Sequence, residues 1–287
     1  MLIGAHVSTA GGYSEAVRRV HEIGGNCLQI FSTSPRGWRV ANLSSEEIQK
    51  FKKACVQYKI SSVYFHASYL INLVGSSEIQ QKSINSLVSE LKTAGKVGVR
   101  GTVVHLGSFK DGKKNINSDV SFRERDRYKL LLKNIKIVLD KTPKETFLII
   151  ENMGMRKIGM DLAEIAYIIK NIKNPRLKVC LDTCHLHAAG FDLSNKKKID
   201  NFLLGFEKMI GLENLEVIHI NDSRDELGAL RDRHDNINEG FVNKEVFRLI
   251  LNHRKIKKLP FIAEVPGFDN QGADKRNIDR LKKLIKS

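Results

Sequence analysis

Nowhere in the 287 residues do about 18 apolar residues run uninterrupted, so the sequence offers no membrane-spanning helix. The stretch Met1 to Thr9 lacks a basic segment leading into an apolar one, and with it the mark of a secretion signal. The expectation is a soluble, cytoplasmic protein with no membrane partner. Cysteine is scarce. Cys27, Cys55, Cys180 and Cys184 include no C-x-x-C pair, which removes the common thiolate zinc and redox motifs and predicts reduced, mostly buried thiols. There is no long-period repeat, no low-complexity tract and no shift in composition that would mark a linker. Acidic residues are in the minority, 32 against 48 Lys plus Arg, for a net charge of +16. Such a surplus attracts polyanions and favours nucleic acid or a phosphorylated substrate. Lysines spread over helical stretches and the C-terminus supply part of it, so charge supports that class without deciding it.

What is present is alternation. Apolar runs of strand length fall at Leu2–His6, Cys27–Phe31, Ser62–His66, Thr102–His105, Phe147–Glu151, Lys178–Asp182, Glu216–Ile220 and Phe261–Glu264. Continuous apolar runs are what strands of a parallel sheet, covered on both faces, require. Helical spacing fills the gaps at Gly12–Ile23, Ser44 to Tyr58, Glu78–Val97, Ser121–Asp140, Asp161–Ile172, Lys198–Ile210, Lys244–Leu251 and Lys275–Ile285. Gly24-Gly25 reads as a helix stop, and Ser44 with Glu47 as a capping box. Eight βα units predict an α/β fold, a (β/α)8 TIM barrel of one domain; an open doubly wound sheet is the competing architecture.

The chemistry lies where the strands end. His66, His105, Glu151, Asp182, His219 and Glu264 close or nearly close six of the eight runs. In a closed barrel those ends converge on the face that carries active sites. One such residue is ordinary; six in register are a poor match to core packing, because unpaired carboxylates are costly to bury. His185, Asp232 and His234 lie in adjoining loops. Imidazole and carboxylate donors suit Zn and, less exclusively, Mn or Fe. Nine donors exceed what one ion uses, so two or three ions fit. Four carboxylates give roughly −4 against +6 from three divalent ions, a net positive pocket suited to a phosphodiester. Hydrolysis of a phosphate ester follows as the leading chemistry.

Other residues have plainer readings. His6 is expected to support the site from behind, as is His187 beside His185. His21 and His253 are expected on exposed helical surface. Trp38, the single tryptophan, is either a core anchor or a loop probe. Arg36 reads by itself as a solvated arginine, Tyr69 and Leu70 as loop packing, and Lys110, Lys113 and Lys114 as a solvated basic loop.

The segments GAHVSTAGG, HASYLINL, VVHLGS, IEN, CLDTCHLHAAGFD, HINDS, DRHDNINEG and AEVPG occur in this order across nearly the whole chain. In them the sequence resembles the endonuclease IV family of metal-dependent abasic-site endonucleases. The resemblance implies three zinc ions, with manganese accepted at some sites. His66, His105 and Glu151 would hold the first. Glu151, shared, with Asp182, His219 and Glu264 would hold the second, and His185, Asp232 and His234 the third. It implies hydroxide attack on the phosphorus 5′ to the lesion, leaving a 3′-hydroxyl and a 5′-deoxyribose phosphate. Glu264 would assist the attacking water beside the bridging Glu151. The implied partner is double-stranded DNA containing abasic sites, with no obligate protein partner. An abasic nucleotide has lost its stacking and costs less to extrude. Arg36 and Trp38 match the family's DNA-probing loop; Tyr69 and Leu70 match its intercalating pair. Three departures stand out: NMGMRKIG after Glu151 where a Gly-rich stretch is usual, Asn238 in place of Gly, and Val265 in place of Thr. The competing functions are a metal-dependent sugar isomerase or epimerase, which needs fewer ions and no basic surface, and a non-catalytic nucleic-acid binder.

Overall fold

A computed structural model of the protein describes residues 1–109 and 126–286. The basic loop of Lys110, Lys113 and Lys114, and the start proposed at Ser121 for the fourth helix, lie outside the described residues. Eight parallel strands close into a barrel: β1 (Leu2–His6), β2 (Cys27–Phe31), β3 (Ser62–His66), β4 (Gly101–Val104), β5 (Phe147–Glu151), β6 (Leu177–Asp182), β7 (Leu215–His219) and β10 (Pro260–Ala263). Each pairs with its neighbour in chain order, and β10 returns to β1. Helices α1 (Tyr13–Glu22), α2 (Ser45–Gln57), α3 (Ser77–Val97), α4 (Asp126–Asp140), α5 (Leu162–Ile172), α7 (Lys196–Met209), α8 (Lys244–Leu251) and α9 (Lys275–Lys282) follow the strands. This is a (β/α)8 TIM barrel in one domain, and the open sheet is set aside. No helix among the described residues is long and apolar enough to cross a membrane.

Local chemistry explains the boundaries. Ser44 Oγ accepts from Glu47 N–H while the Glu47 carboxylate accepts from Ser44 N–H, completing the box that starts α2. Gly24 and Gly98, at φ of 91° and 82°, sit just past α1 and α3 in the left-handed region. Strands β4, β7 and β10 end one residue before the expected points. Glu264 is already off the ladder, since its N–H turns to Asn221 Oδ1 at 2.7 Å. A 3₁₀ turn at Leu212–Asn214, a short helix and a two-stranded ribbon are additional to the expected set. Helix α6 (Thr183–Ala188) has six residues, too few to display a helical period. A ribbon pairs β8 (Asp222–Ser223) with β9 (His234–Asp235), two residues each.

The strand period of two organises the interior. Cys27, Tyr64, Val103, Ile149, Cys180, Val217 and Ile262, one from each of seven strands, pack together as a buried cluster. On β1 the equivalent place in the pairing register is Gly4, opposite Cys27 and Ile262. A Cβ on Gly4 would meet the Cys27 carbonyl oxygen at 1.6 Å, and backbone cannot yield there. Gly4→Ala is expected to cost about 3 kcal/mol or more, lowering the melting temperature by roughly 10 °C. Thermal melting by circular dichroism checks this; an unchanged melting point would mean that β1 and β2 can separate without loss.

Candidate metal centre

Counting two residues on from each member of that layer gives His6, Gln29, His66, His105, Glu151, Asp182, His219 and Glu264. Strand alternation returns these positions to the same inward side, one layer nearer the C-terminal mouth. Three further donors come from above. Asp182 caps α6 by accepting from His185 N–H at 3.0 Å, which aims His185 at the mouth. On the ribbon arm, Asp232 and His234 alternate with Arg233. The first two face inward, while Arg233 Nε donates to Asp225 Oδ2 at 2.8 Å on the other side.

The structure brings all nine expected donors together. Three groupings have every donor atom within 4.8 Å of the others: His66, His105 and Glu151; Glu151, Asp182, His219 and Glu264; His185, Asp232 and His234. Cys180 and Cys184 lie within the same reach of neighbouring donors. Burial pushes the Cys180 thiol up to about 12 and the Cys184 thiol higher still, so both favour the protonated form over the thiolate a metal needs. The cysteines are unpaired; Cys55 is half-buried and the other three are buried.

Hydrogen bonds orient four of the five imidazoles. His66 Nδ1 bonds the Ala67 carbonyl at 2.8 Å, His185 Nδ1 the Asn152 carbonyl at 2.8 Å and His234 Nδ1 the Glu264 carbonyl at 3.1 Å. His219 Nε2 bonds Gln29 Oε1 at 2.9 Å. Since a carbonyl oxygen only accepts, these nitrogens carry the protons. The inward nitrogens are thereby left with lone pairs aimed at carboxylates: His66 Nε2 at Glu151 Oε2 (3.3 Å), His219 Nδ1 at Glu151 Oε1 (2.9 Å), His185 Nε2 at Asp232 Oδ1 (2.9 Å). His234 Nε2, 3.4 Å from Asp232 Oδ1, is buried with no hydrogen-bond partner, as is His105 Nδ1. Facing lone pairs repel unless a proton or a cation lies between them. Outer nitrogens fixed by carbonyls and inner ones converging with carboxylates are the arrangement metal-binding histidines use. The residues therefore fit divalent cations.

Electrostatics agree. Burial works against protonation of His185 and His234, but nearby Asp182 and Asp232 outweigh it and raise them to about 10 and about 9. Burial likewise opposes charge on His66 and is outweighed by Glu151 and Glu264. His105 goes the other way, to about 4, because burial dominates there. Burial would raise Glu151, yet His105 and His219 hold it well below the usual carboxylate range. Asp182, by contrast, is raised, with burial prevailing over His185 and His234.

Gln29, Asn152 and Asn221 complete the site without having been expected. Gln29 is fully buried and reaches His6 Nδ1 at 3.0 Å as well as Glu264 and His219. Asn221 Nδ2 donates to Asp182 Oδ2 at 2.6 Å, and Asn152 Oδ1 accepts from Asp182 N–H at 2.7 Å. The signal available for Gln29 was an amide two residues past Cys27 in an apolar run. His6 backs the site as expected, with Nδ1 3.1 Å from Glu264 Oε1. Two expectations need correction. His187 does not support the centre, because α6 turns it outward to the Asp225 carbonyl. His253 lies past the end of α8, half-buried, with Nε2 3.1 Å from Asp200 Oδ1. His21 is on exposed helix, its ring 4.7 Å from that of Tyr58.

Beside the mouth, Tyr69 and Leu70 are 63% and 39% exposed. The Tyr69 ring meets Phe31 edge-on at 5.4 Å. Arg36 is exposed, while Trp38 is half-buried against the core beneath it. Asn238 adopts φ of 64°, so its backbone takes the left-handed conformation that glycine accepts most readily.

A family model described as a xylose isomerase-like TIM barrel matches residues 17–284. A protein called probable endonuclease 4 from Thermosipho melanesiensis is 37% identical over 94% of this chain and 93% of its own. The crystal structure of endonuclease IV from Thermus thermophilus superposes with a TM-score of 0.84, at 28% identity over 99% of this chain and 98% of that one. A 3-keto-D-glucoside 4-epimerase from E. coli, 15% identical with a TM-score of 0.67 over 99% of this chain and 98% of its own, shares the fold. Full-length identity at this level, together with the barrel, decides the family: the chain belongs to the endonuclease IV family.

Proposed function

We propose that this protein is a DNA-repair nuclease of the cytoplasm. It hydrolyses the phosphodiester 5′ to an abasic site in duplex DNA and leaves a 3′-hydroxyl and a 5′-deoxyribose phosphate. The observation that carries the reading is the meeting of five imidazoles, four of them held in place by carbonyl oxygens, and four carboxylates at one mouth of a strongly basic barrel. Three of the groupings would hold three zinc ions in the partition that the family resemblance implies, with manganese acceptable at some sites. His66, His105 and Glu151 form one set; Asp182, His219 and Glu264 with the shared Glu151 form another; His185, Asp232 and His234 form the third. When bound, such ions neutralise phosphoryl oxygens and lower the pKa of water to roughly 7. Glu264 has the most accessible carboxylate of its group, 15% exposed where Glu151, Asp182 and His219 show none. It is the carboxylate that meets incoming water and takes its proton. Glu151, wholly buried, spans the first two sets.

DNA engagement falls to Arg36 and Trp38 on the loop after β2 and to Tyr69 and Leu70 after β3. An exposed tyrosine and leucine fill the gap an abasic nucleotide leaves, and Arg36 meets backbone charge. Tyr69→Ala is expected to weaken binding of an abasic duplex about 10- to 100-fold with metal content unchanged. Fluorescence anisotropy decides this, and equal affinity would remove Tyr69 from the wedge. The reading as a whole is tested by metal analysis of the purified protein alongside nicking of a duplex with one abasic site. Incision on the 5′ side that depends on bound zinc is expected. Sugar epimerisation without nicking, or abasic-duplex binding without cleavage, would replace it.

A further inference from the structure

Asp232 and His234 ride on an arm that leaves the barrel wall at Ser223, beyond β7, and returns by Val242. One side chain closes the neck of that arm. Asp222 is fully buried and is not among the nine donors. Among the described residues its carboxylate accepts from four backbone N–H groups: Oδ1 from Ser223 at 2.8 Å and Val242 at 2.9 Å, Oδ2 from Asn238 at 2.9 Å and Gly240 at 3.2 Å. All but the first belong to the returning segment. Phe241 N–H adds a bond to the Ser223 carbonyl at 2.7 Å. The neck is closed to contact: a Cβ on Gly240 would lie 2.2 Å from the Ser223 carbonyl oxygen and 2.6 Å from Asp222 Oδ1. The ribbon carries this anchorage to the donors. Asp222 pairs with Asp235 and Ser223 with His234, and Arg224 N–H meets the Arg233 carbonyl at 2.9 Å. A buried carboxylate is costly unless its oxygens are satisfied, and an apolar side chain in its place would leave these N–H groups unpaired.

We infer that Asp222 is a positioning residue for the His185, Asp232 and His234 donor set. By tying the returning segment to β8 it holds Asp232 and His234 opposite His185, whose Nε2 lies 2.9 Å from Asp232 Oδ1. His185 itself is fixed separately, on α6. This rests on the metal-dependent nuclease reading above. Residues that orient a metal ligand from behind typically contribute about 10- to 100-fold to metal affinity. Asparagine keeps the shape of Asp222 but turns one acceptor oxygen into an N–H donor, which would face two backbone N–H groups. The neck then loosens, while the other two donor sets, carried at the ends of barrel strands, keep their places.

Zinc binding to the full-length protein, read by competition with a chromophoric chelator, tests this without DNA. Asp222→Asn and Gly240→Ala should each weaken one of three zinc ions by about 10- to 100-fold and leave the other two within about twofold of wild type. Added to His234→Ala, which already breaks that set, Asp222→Asn should cause no further loss. Wild-type retention of all three ions in both variants overturns the inference, as does equal weakening of all three, or a further loss on top of His234→Ala. Should one variant fail to fold, the other decides by the same readout. Wild type judges the underlying reading: three bound zinc ions without nicking of an abasic duplex overturn the nuclease and leave the neck to be judged by the variants. Fewer than three ions in wild type overturn the inference together with the three-ion partition.

Discussion

Glu264→Gln should slow nicking of an abasic duplex by about 10³-fold while leaving the melting temperature within a few degrees of wild type. The substitution keeps the volume and one acceptor oxygen, so the neighbours at 3.1 Å, His6 Nδ1 and His219 Nδ1, still find a partner. What it removes is negative charge at the one partly accessible carboxylate of its group. That charge serves as a cation donor and as the acceptor for a proton leaving water. Single-turnover cleavage, metal content and thermal melting separate these roles. Full metal content with lost cleavage assigns the proton transfer; lost metal with lost cleavage assigns ligation. Near-normal nicking would take Glu264 out of the reaction. Glu151→Gln would be a blunter test, because Glu151 is wholly buried and faces His66, His105 and His219 at once.

Stripping the protein with a chelator should abolish nicking and give its stability a pH dependence that the loaded protein lacks. In the metal-free protein His185 titrates at about 10 and His234 at about 9, both above the ordinary 6.5. A histidine raised on folding stabilises fully below its unfolded pKa, and that contribution is lost as pH climbs through the folded value. The metal-free protein should therefore weaken between pH 6.5 and 10, by an amount on the order of 5 kcal/mol, or about 10 °C in melting temperature. His105, lowered to about 4, acts in the opposite sense and weakens the metal-free protein as pH falls from 6.5 toward 4. A bound cation takes the lone pairs that protons otherwise occupy, so in the loaded protein both slopes should flatten and the melting temperature rise. Melting curves with and without zinc over this range measure it. Identical slopes would mean that His185 and His234 bind no metal.

The fold is shared with sugar epimerases, so barrel geometry alone does not choose the reaction. The choice comes from the side chains at the mouth, and these were unevenly legible. Strand-end histidines and carboxylates announced themselves because charge beside an apolar run is costly unless something pairs with it. Gln29, Asn152 and Asn221 carry no such flag. A neutral amide in a sequence is commonplace, and only contact with Asp182, His219 and Glu264 gives it a role. The exposed histidine on α1 was readable from helical spacing, whereas His187 and His253 were misplaced because α6 is too short to show a repeating pattern and His253 lies past the end of α8.

The amino-acid order by itself determined eight continuous apolar runs, the helices between them and the positive charge, since each depends on neighbours within a few residues. It also marked six of the nine donors, those at strand ends, as chemically out of place in a core. Only closure of the barrel decided which donors meet. Glu264 reaches His6 across 258 positions and His219 reaches Gln29 across 190, distances over which local propensity carries no information. The direction of each imidazole was likewise settled in three dimensions, because a ring nitrogen takes its role from the carbonyl or carboxylate that folding places beside it.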